Sequence, residues 1–412
     1  MTHGIRETCR GCNQKESLKF FLSLGDQPLA NAFLKSSGDF ADEKKYPLDV
    51  YFCENCSLVQ LVDVIDPSVL FRNYIYVTGT SDTIAKHNVA YADTVIEYMD
   101  IKDGLVAEVA SNDGSLLKCF QARGVNTIGI EPATNIAKMA NEAGIDTINS
   151  FFNYETSQII RKSHGRADVV IGNNVLAHVD DTQDFLKGAK HLLKSNGLMI
   201  VEVPYLGEFM ERLEYDTVYH EHLCYFSITA LLTLCDAVGL AITRVDHVQV
   251  HGGSIRVYAG PIEHYKIHSE EVLKEAENEK TRGLTQFDSY KEFADDVAAN
   301  KTELISLLND LKQKGKSLAA YGAPAKGNTL LNYCEISTDL VPYTVDKSPL
   351  KQDLYTPGMH LPVLPVETLL ERQPDYVLIL AWNFADEIIE QQQEYKARGG
   401  QFIIPLPKPR IV

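Results

Sequence analysis

The sequence predicts an α/β fold in three parts, and three observations carry the prediction. Two Cys-x-x-Cys pairs, Cys9/Cys12 and Cys53/Cys56, frame an N-terminal zinc-binding segment spanning residues 1–70. Strand and helix patterns alternate over 71–265, opening on the strand, turn and helix of GLVAEVASNDGSLLKCF at 104–120. Such alternation predicts a Rossmann-like, largely parallel, doubly wound sheet. A helical connector and a second α/β unit are expected over 266–412, where the pattern restarts at KSLAAYGAPAKGN.

The two Cys pairs are separated by 40 residues. Four thiolates complete a tetrahedral zinc shell and leave no position for a reacting water, so the metal should be structural. The remaining cysteines, Cys119, Cys224, Cys235 and Cys334, sit singly in periodic or apolar stretches and read as buried thiols. Next comes a tyrosine-rich stretch, NYIYVTGTS, in which Tyr74 or Tyr76 is a candidate lid residue. A helix over about 87–99 should follow.

In the opening turn of the central unit the dinucleotide fingerprint GxGxxG and the P-loop GxxxxGK[ST] are both missing. Instead Glu108 stands near the end of the first strand and Glu131 ends the second, 23 residues on, a separation that suits an acid bonded to ribose hydroxyls. The third strand ends in Asn173 and Asn174. Two acids and an amide tip point to S-adenosylmethionine, with Glu108, Ala110, Asn112, Asp113, Leu117, Glu131, Pro132, Asn173 and Asn174 as candidate contacts. The unit continues through a helix to Lys194, the strand LMIVEVPY, the segment EYDTVYHEHLCYFS, the helix TALLTLCDAVG and two further strands.

Residues 266–314 are charged with a helical period and should connect the two α/β units along one apolar face. In the last unit Gly322–Thr329 approaches a Walker loop, but Asn328 replaces its lysine and Lys326 is displaced by two, which argues against NTP hydrolysis. The turn reads either as a diphosphate cradle or as a structural strand-to-helix turn.

The densest titratable cluster is Tyr219-His220-Glu221-His222. It is not an HExxH zinc site, because Cys224 stands four residues after His220. A sulfonium methyl donor needs little help with an acidic oxygen or nitrogen. Carbon, by contrast, must first lose a proton to a base while its neighbouring ketone oxygen is stabilised as an enolate. His222 is the expected base, held by Glu221, with Tyr219 or His178 donating to the oxyanion.

These motifs in order, namely the Cys pairs, ExxSNDG, EP, NNVLAH, EVPY, YHEH, HGGSIRVY and YGAPAKGNTLLN, resemble the nucleotide-sugar C-methyltransferases that act at C3 of 4-keto-deoxyhexoses. The resemblance covers nearly the whole chain. It implies a zinc segment, an S-adenosylmethionine domain and a C-terminal domain closing over a dTDP- or GDP-linked 4-keto sugar. It places Tyr219, Glu221, His222 and His178 at the reacting carbon, Tyr76 (or Tyr74) in the lid over it, and Phe151 and Phe152 against the adenine. Ser150 stands where the family often has an acidic residue, so no adenine carboxylate is expected there.

Composition restricts the alternatives. Among 412 residues the formal charge is −17, which disfavours nucleic acid as a partner and with it a zinc-containing RNA methyltransferase. The missing GxGxxG weakens an NAD-linked oxidoreductase. No apolar run approaches the roughly 18–20 residues of a membrane span and no apolar signal region opens the chain, so a cytoplasmic protein is expected.

Overall fold

The computed structural model describes residues 3–72, 82–248 and 253–412. The N-terminal segment holds β1 (His3–Ile5), β2 (Leu18–Pro28), β3 (Lys45–Cys53), β4 (Val59–Leu61) and β5 (Asp63–Ile65), then the short helix α1 (Pro67–Phe71). The strands β2, β3 and β4 form an antiparallel meander, and β1 pairs with β5.

The central unit runs α2 (Asp82–Met99), β6 (Leu105–Val109), α3 (Ser115–Gln121), β7 (Asn126–Ile130), α4 (Thr134–Glu142), β8 (Thr147–Ile148), α5 (Tyr154–His164) and β9 (Ala167–Asn173). It continues with α6 (Thr182–Leu192), β10 (Leu193–Pro204), α7 (Leu206–Glu211), β11 (Cys224–Tyr225), α8 (Ile228–Val238), β12 (Leu240–Val248) and β13 (Ser254–Pro261). Seven strands pair in the order β12-β13-β10-β9-β6-β7-β8. All links are parallel except those of β13, which runs antiparallel between β10 and β12. Every residue of β6 and of β13 is buried, as expected for strands covered on both faces. The strand order reverses between β6 and β9, so a ligand crevice is expected at their carboxyl ends.

The strand β11 does not join this sheet. Cys224 and Tyr225 pair with Gln60 and Val59 and make β11 the fourth strand of the N-terminal meander. The polar segment before it is therefore enclosed: His220 is 1% exposed, Glu221 4% and His222 8%.

After the short helix α9 (Ile262–Tyr265), the connector contains α10 (Glu270–Thr281) and α11 (Phe287–Gln313), where 266–314 showed a helical period. Beyond it lie β14 (Leu318–Tyr321), α12 (Ala325–Tyr333), β15 (Thr344–Val345), β16 (Val363–Leu364), α13 (Thr368–Arg372), β17 (Tyr376–Ile379), α14 (Ala385–Gln391), α15 (Gln393–Ala397), β18 (Gln401–Ile404) and β19 (Arg410–Ile411). These strands pair as β16-β15-β14-β17-β18-β19, parallel up to β18 and closed by antiparallel β19. Among the described residues no helix is long and apolar enough to cross a membrane.

One buried carboxylate fastens the connector to the central unit. Glu279 of α10 accepts hydrogen bonds from the first amides of α8, Ile228 N at 2.7 Å and Thr229 N at 2.8 Å, and from Thr229 Oγ1 at 2.7 Å. Glu279→Ala would strand those donors in a buried position. We expect a loss of about 2–4 kcal/mol, read as a lower melting temperature, with Glu279→Gln intermediate.

Candidate active site

The chain leaves β6 through a turn in which Ala110, Asn112 and Gly114 adopt left-handed φ values of 54°, 50° and 73°. Only glycine suits the last, since a Cβ there would also lie 2.8 Å from Ile145. Asp113 Oδ1 accepts from Ser115 Oγ at 2.6 Å and fixes the entry to α3, on which Leu117 is fully buried. Glu131, at the tip of β7, accepts from Asn112 N at 2.9 Å and from Ala133 N at 2.7 Å. It therefore couples the first turn to the second, and burial pushes its carboxyl up.

Glu108 is the informative residue of this crevice. It is 7% exposed, and its Oε2 has no hydrogen-bond partner among the described residues. Burial, with Asp113 and Glu131 close by, pushes its carboxyl well above the usual range. A buried acid without a partner is costly unless a cation compensates it. S-adenosylmethionine, with a sulfonium and an ammonium group, fits that requirement, and Glu108, the 110–114 turn and Glu131 are the residues that would hold it.

On the other side of the crevice, Asn173 ends β9 and accepts from the Tyr91 hydroxyl at 3.1 Å, while Asn174 (φ 52°) donates its amide to Glu202 O at 2.7 Å. Arg256 lies 3.8 Å from the Tyr91 ring centroid and pairs with Glu202 at 2.9 Å, which stiffens this support. The sequence marked EVPY and IRVY as motifs without giving Glu202 or Arg256 a role. Pro132 and Phe151 are half-buried, with the Arg72 guanidinium 5.2 Å from the Phe151 centroid. Phe152 is buried and packs edge-on against Phe185 at 5.3 Å.

The YHEH turn reaches the same crevice. Leu223 N donates to Ala177 O at 2.7 Å, and the His222 ring meets the His178 ring edge-on with centroids 4.9 Å apart. His222 Nδ1 lies 3.0 Å from the Thr217 carbonyl. A carbonyl only accepts, so Nδ1 carries the proton and a neutral ring presents the bare Nε2. The Tyr219 hydroxyl is 2.8 Å from that Nε2 and donates to it. The orienting partner expected from sequence was Glu221; the structure gives Thr217 that position instead. The Glu221 carboxylate accepts from Asn31 Nδ2 of the N-terminal segment at 2.7 Å. Adjacent residues in a tight turn point apart, which no spacing rule reveals. His220 donates from Nε2 to Pro47 O at 3.1 Å and anchors the turn to β3. Tyr74 and Tyr76 lie outside the described residues.

His178 is half-buried overall with an enclosed Nδ1 that has no hydrogen-bond partner among the described residues, and burial lowers its pKa to about 4. At neutral pH it is an uncharged imidazole able to donate one N–H.

The four thiols Cys9, Cys12, Cys53 and Cys56 converge, with all sulfurs within 4.8 Å of one another. The Cys9–Cys56 and Cys12–Cys53 separations are 3.5 and 3.6 Å. Tetrahedral zinc at ~2.3 Å from each sulfur gives edges of roughly 3.8 Å, so the donor set and its spacing fit zinc. Cys9 Sγ accepts from Gln60 Nε2 at 3.1 Å and from Gly11 N at 3.3 Å, bonds that favour a thiolate. Since β4 follows Cys56 directly and pairs with β11, this closed site also braces the strand that continues from the YHEH turn.

The strand order, the 110–114 turn and the orphaned Glu108 together define an S-adenosylmethionine-dependent methyltransferase with a structural zinc module. Family models agree along the chain: a zinc binding domain over 9–71, a methyltransferase domain over 86–245, and a C-methyltransferase C-terminal domain over 249–407. The C-methyltransferase NovU of Streptomyces niveus is 37% identical over 407 residues, covering 98% of this chain and 97% of that protein. The chain belongs to the C-methyltransferase family. Among solved structures, the magnesium protoporphyrin IX methyltransferase of Synechocystis PCC 6803 with bound SAM matches at 15% identity and TM-score 0.33, over 44% of this chain and 82% of that one. An S-adenosylmethionine-dependent methyltransferase of Clostridium acetobutylicum matches at 11% and 0.35, over 44% and 93%.

Two expectations follow. Between pH 6.5 and about 4 the unfolded chain binds a proton at His178 that the folded chain does not, so stability should fall as pH falls through that window. The effect is at most about 3 kcal/mol, and His178→Asn should flatten that part of a melting-temperature profile. Stripping the metal with a strong chelator, or Cys53→Ser, should release about one zinc per chain, measured by a colorimetric assay, and lower the melting temperature of the N-terminal module.

Proposed function

We propose that this enzyme methylates carbon next to a ketone, at C3 of a dTDP- or GDP-linked 4-keto-6-deoxyhexose, in branched deoxysugar biosynthesis in the cytoplasm. The observation that supports it most is the meeting of His222 and His178 beyond the tip of β9, which brings a base-bearing turn to the donor crevice. Bound S-adenosylmethionine supplies an electrophilic methyl group. The chain's own residues have two tasks, to take a proton from carbon and to stabilise the enolate oxygen left behind.

His222 suits the first task. Its Nδ1–H is fixed by the Thr217 carbonyl, so Nε2 is the basic nitrogen, and the proton ends there either directly or through the Tyr219 hydroxyl already bonded to it. His178 suits the second, since an uncharged imidazole donates to a developing oxyanion without first having to lose a charge. Glu221, bonded to Asn31, keeps the turn closed against the N-terminal segment. In this reading Tyr76 or Tyr74 belongs to a lid and the unit over 266–412 closes over the nucleotide sugar. The formal net charge of −17 disfavours nucleic acid as a partner.

The test is mass spectrometry of the purified protein with labelled methyl donor and a panel of nucleotide-linked 4-keto sugars. A carbon-bound methyl on one of them is expected; transfer to oxygen or nitrogen, or no acceptor in the panel, would overturn the assignment. His222→Asn should lower turnover roughly 100-fold or more while calorimetric donor affinity stays nearly intact. Tyr219→Phe separates the routes: a relay loses as much rate as His222→Asn, a direct transfer much less.

A further inference from the structure

The turn before the YHEH sequence is tied to the C-terminal half of the chain at four of five consecutive residues. Glu214 Oε2 lies 3.5 Å from Lys326 Nζ of α12. The Tyr215 hydroxyl donates at 2.9 Å to Asn300 of α11, whose own amide donates to Pro405 O and Pro407 O at 3.0 Å each. Asp216 Oδ2 accepts from the indole N–H of Trp382 at 2.6 Å, and the Val218 carbonyl accepts from Thr329 Oγ1 at 3.1 Å. The fifth residue, Thr217, turns its carbonyl toward His222 Nδ1.

We propose that Asp216, Trp382 and Thr329 are positioning residues through which the C-terminal α/β unit aims the Thr217 carbonyl and so holds His222 in its reactive tautomer. This rests on the reading of His222 as the base. Stability alone does not account for the arrangement. Glu214 and Asp216 are 4% and 0% exposed, each with one oxygen that has no hydrogen-bond partner among the described residues, and well-packed apolar side chains would cost less there. Directional bonds instead fix rotation of the peptide units on either side of Thr217. A carbonyl turned away would leave Nδ1 free to lose its proton to the alternative tautomer, and Nε2 would then carry hydrogen and cease to be a base. The same bonds make the base competent only while the two units are docked, so the docked state of the substrate unit is built into the chemistry.

The experiment compares Trp382→Phe, Thr329→Val, Asp216→Asn and Asp216→Ala by steady-state kinetics, donor calorimetry and melting temperature. Trp382→Phe, Thr329→Val and Asp216→Ala should each lower kcat by about 10-fold or more, with KM for sugar and donor within about 2-fold. Asp216→Asn keeps an acceptor oxygen for the indole and should recover to within about 3-fold of the parent. Trp382 is the chain's single tryptophan, so its emission should shift in Asp216→Ala and much less in Asp216→Asn. Unchanged kcat in both Trp382→Phe and Thr329→Val would overturn the proposal. So would an Asp216→Asn as slow as Asp216→Ala, or rate losses matched by equal losses of donor affinity and melting temperature. A fully active His222→Asn would instead remove the base assignment itself, whatever these variants do.

Discussion

A neutral histidine keeps one of its two nitrogens bare, and the contacts that decide which one at His222 draw on several parts of the chain. Here the Thr217 carbonyl holds Nδ1–H, so basicity is confined to Nε2. A single backbone oxygen is a weak anchor on a free loop. It becomes a firm one because the turn carrying it is buried and bonded on both sides.

Three parts of the molecule meet at that turn. The zinc module supplies β4, on which β11 pairs, along with Pro47 for His220 and Asn31 for Glu221. The turn after β9 of the central unit supplies Ala177 O and the His178 ring. The C-terminal half supplies Lys326, Asn300, Trp382 and Thr329. The zinc site is thus coupled to that turn through the chain: Cys56 leads into β4, and β4 pairs with β11.

The donor side follows a different logic. Glu131 spends both oxygens on backbone amides and shapes the turn, whereas Glu108 keeps an oxygen that nothing in the described protein satisfies. One acid organises the crevice and the other leaves charge to be met by a cationic ligand. Burial raises both carboxyls, but the amide donors of Glu131 offset part of that penalty while Glu108 has no such donors and also faces the charges of Asp113 and Glu131.

By itself the sequence determined the local chemistry. Cys9, Cys12, Cys53 and Cys56 announce a thiolate tetrahedron because ligand spacing is a local property, and the strand, turn and helix around Gly114 announce a cofactor crevice because periodicity and special backbone angles are local too. Contacts between distant segments decided the rest. Thr217 rather than Glu221 orients His222, β11 deserts its own sheet for β4, and Asp216 meets Trp382 across 166 positions. Hydrogen bonds of that kind depend on where two separately folded surfaces touch, and no pattern within either segment encodes the meeting point.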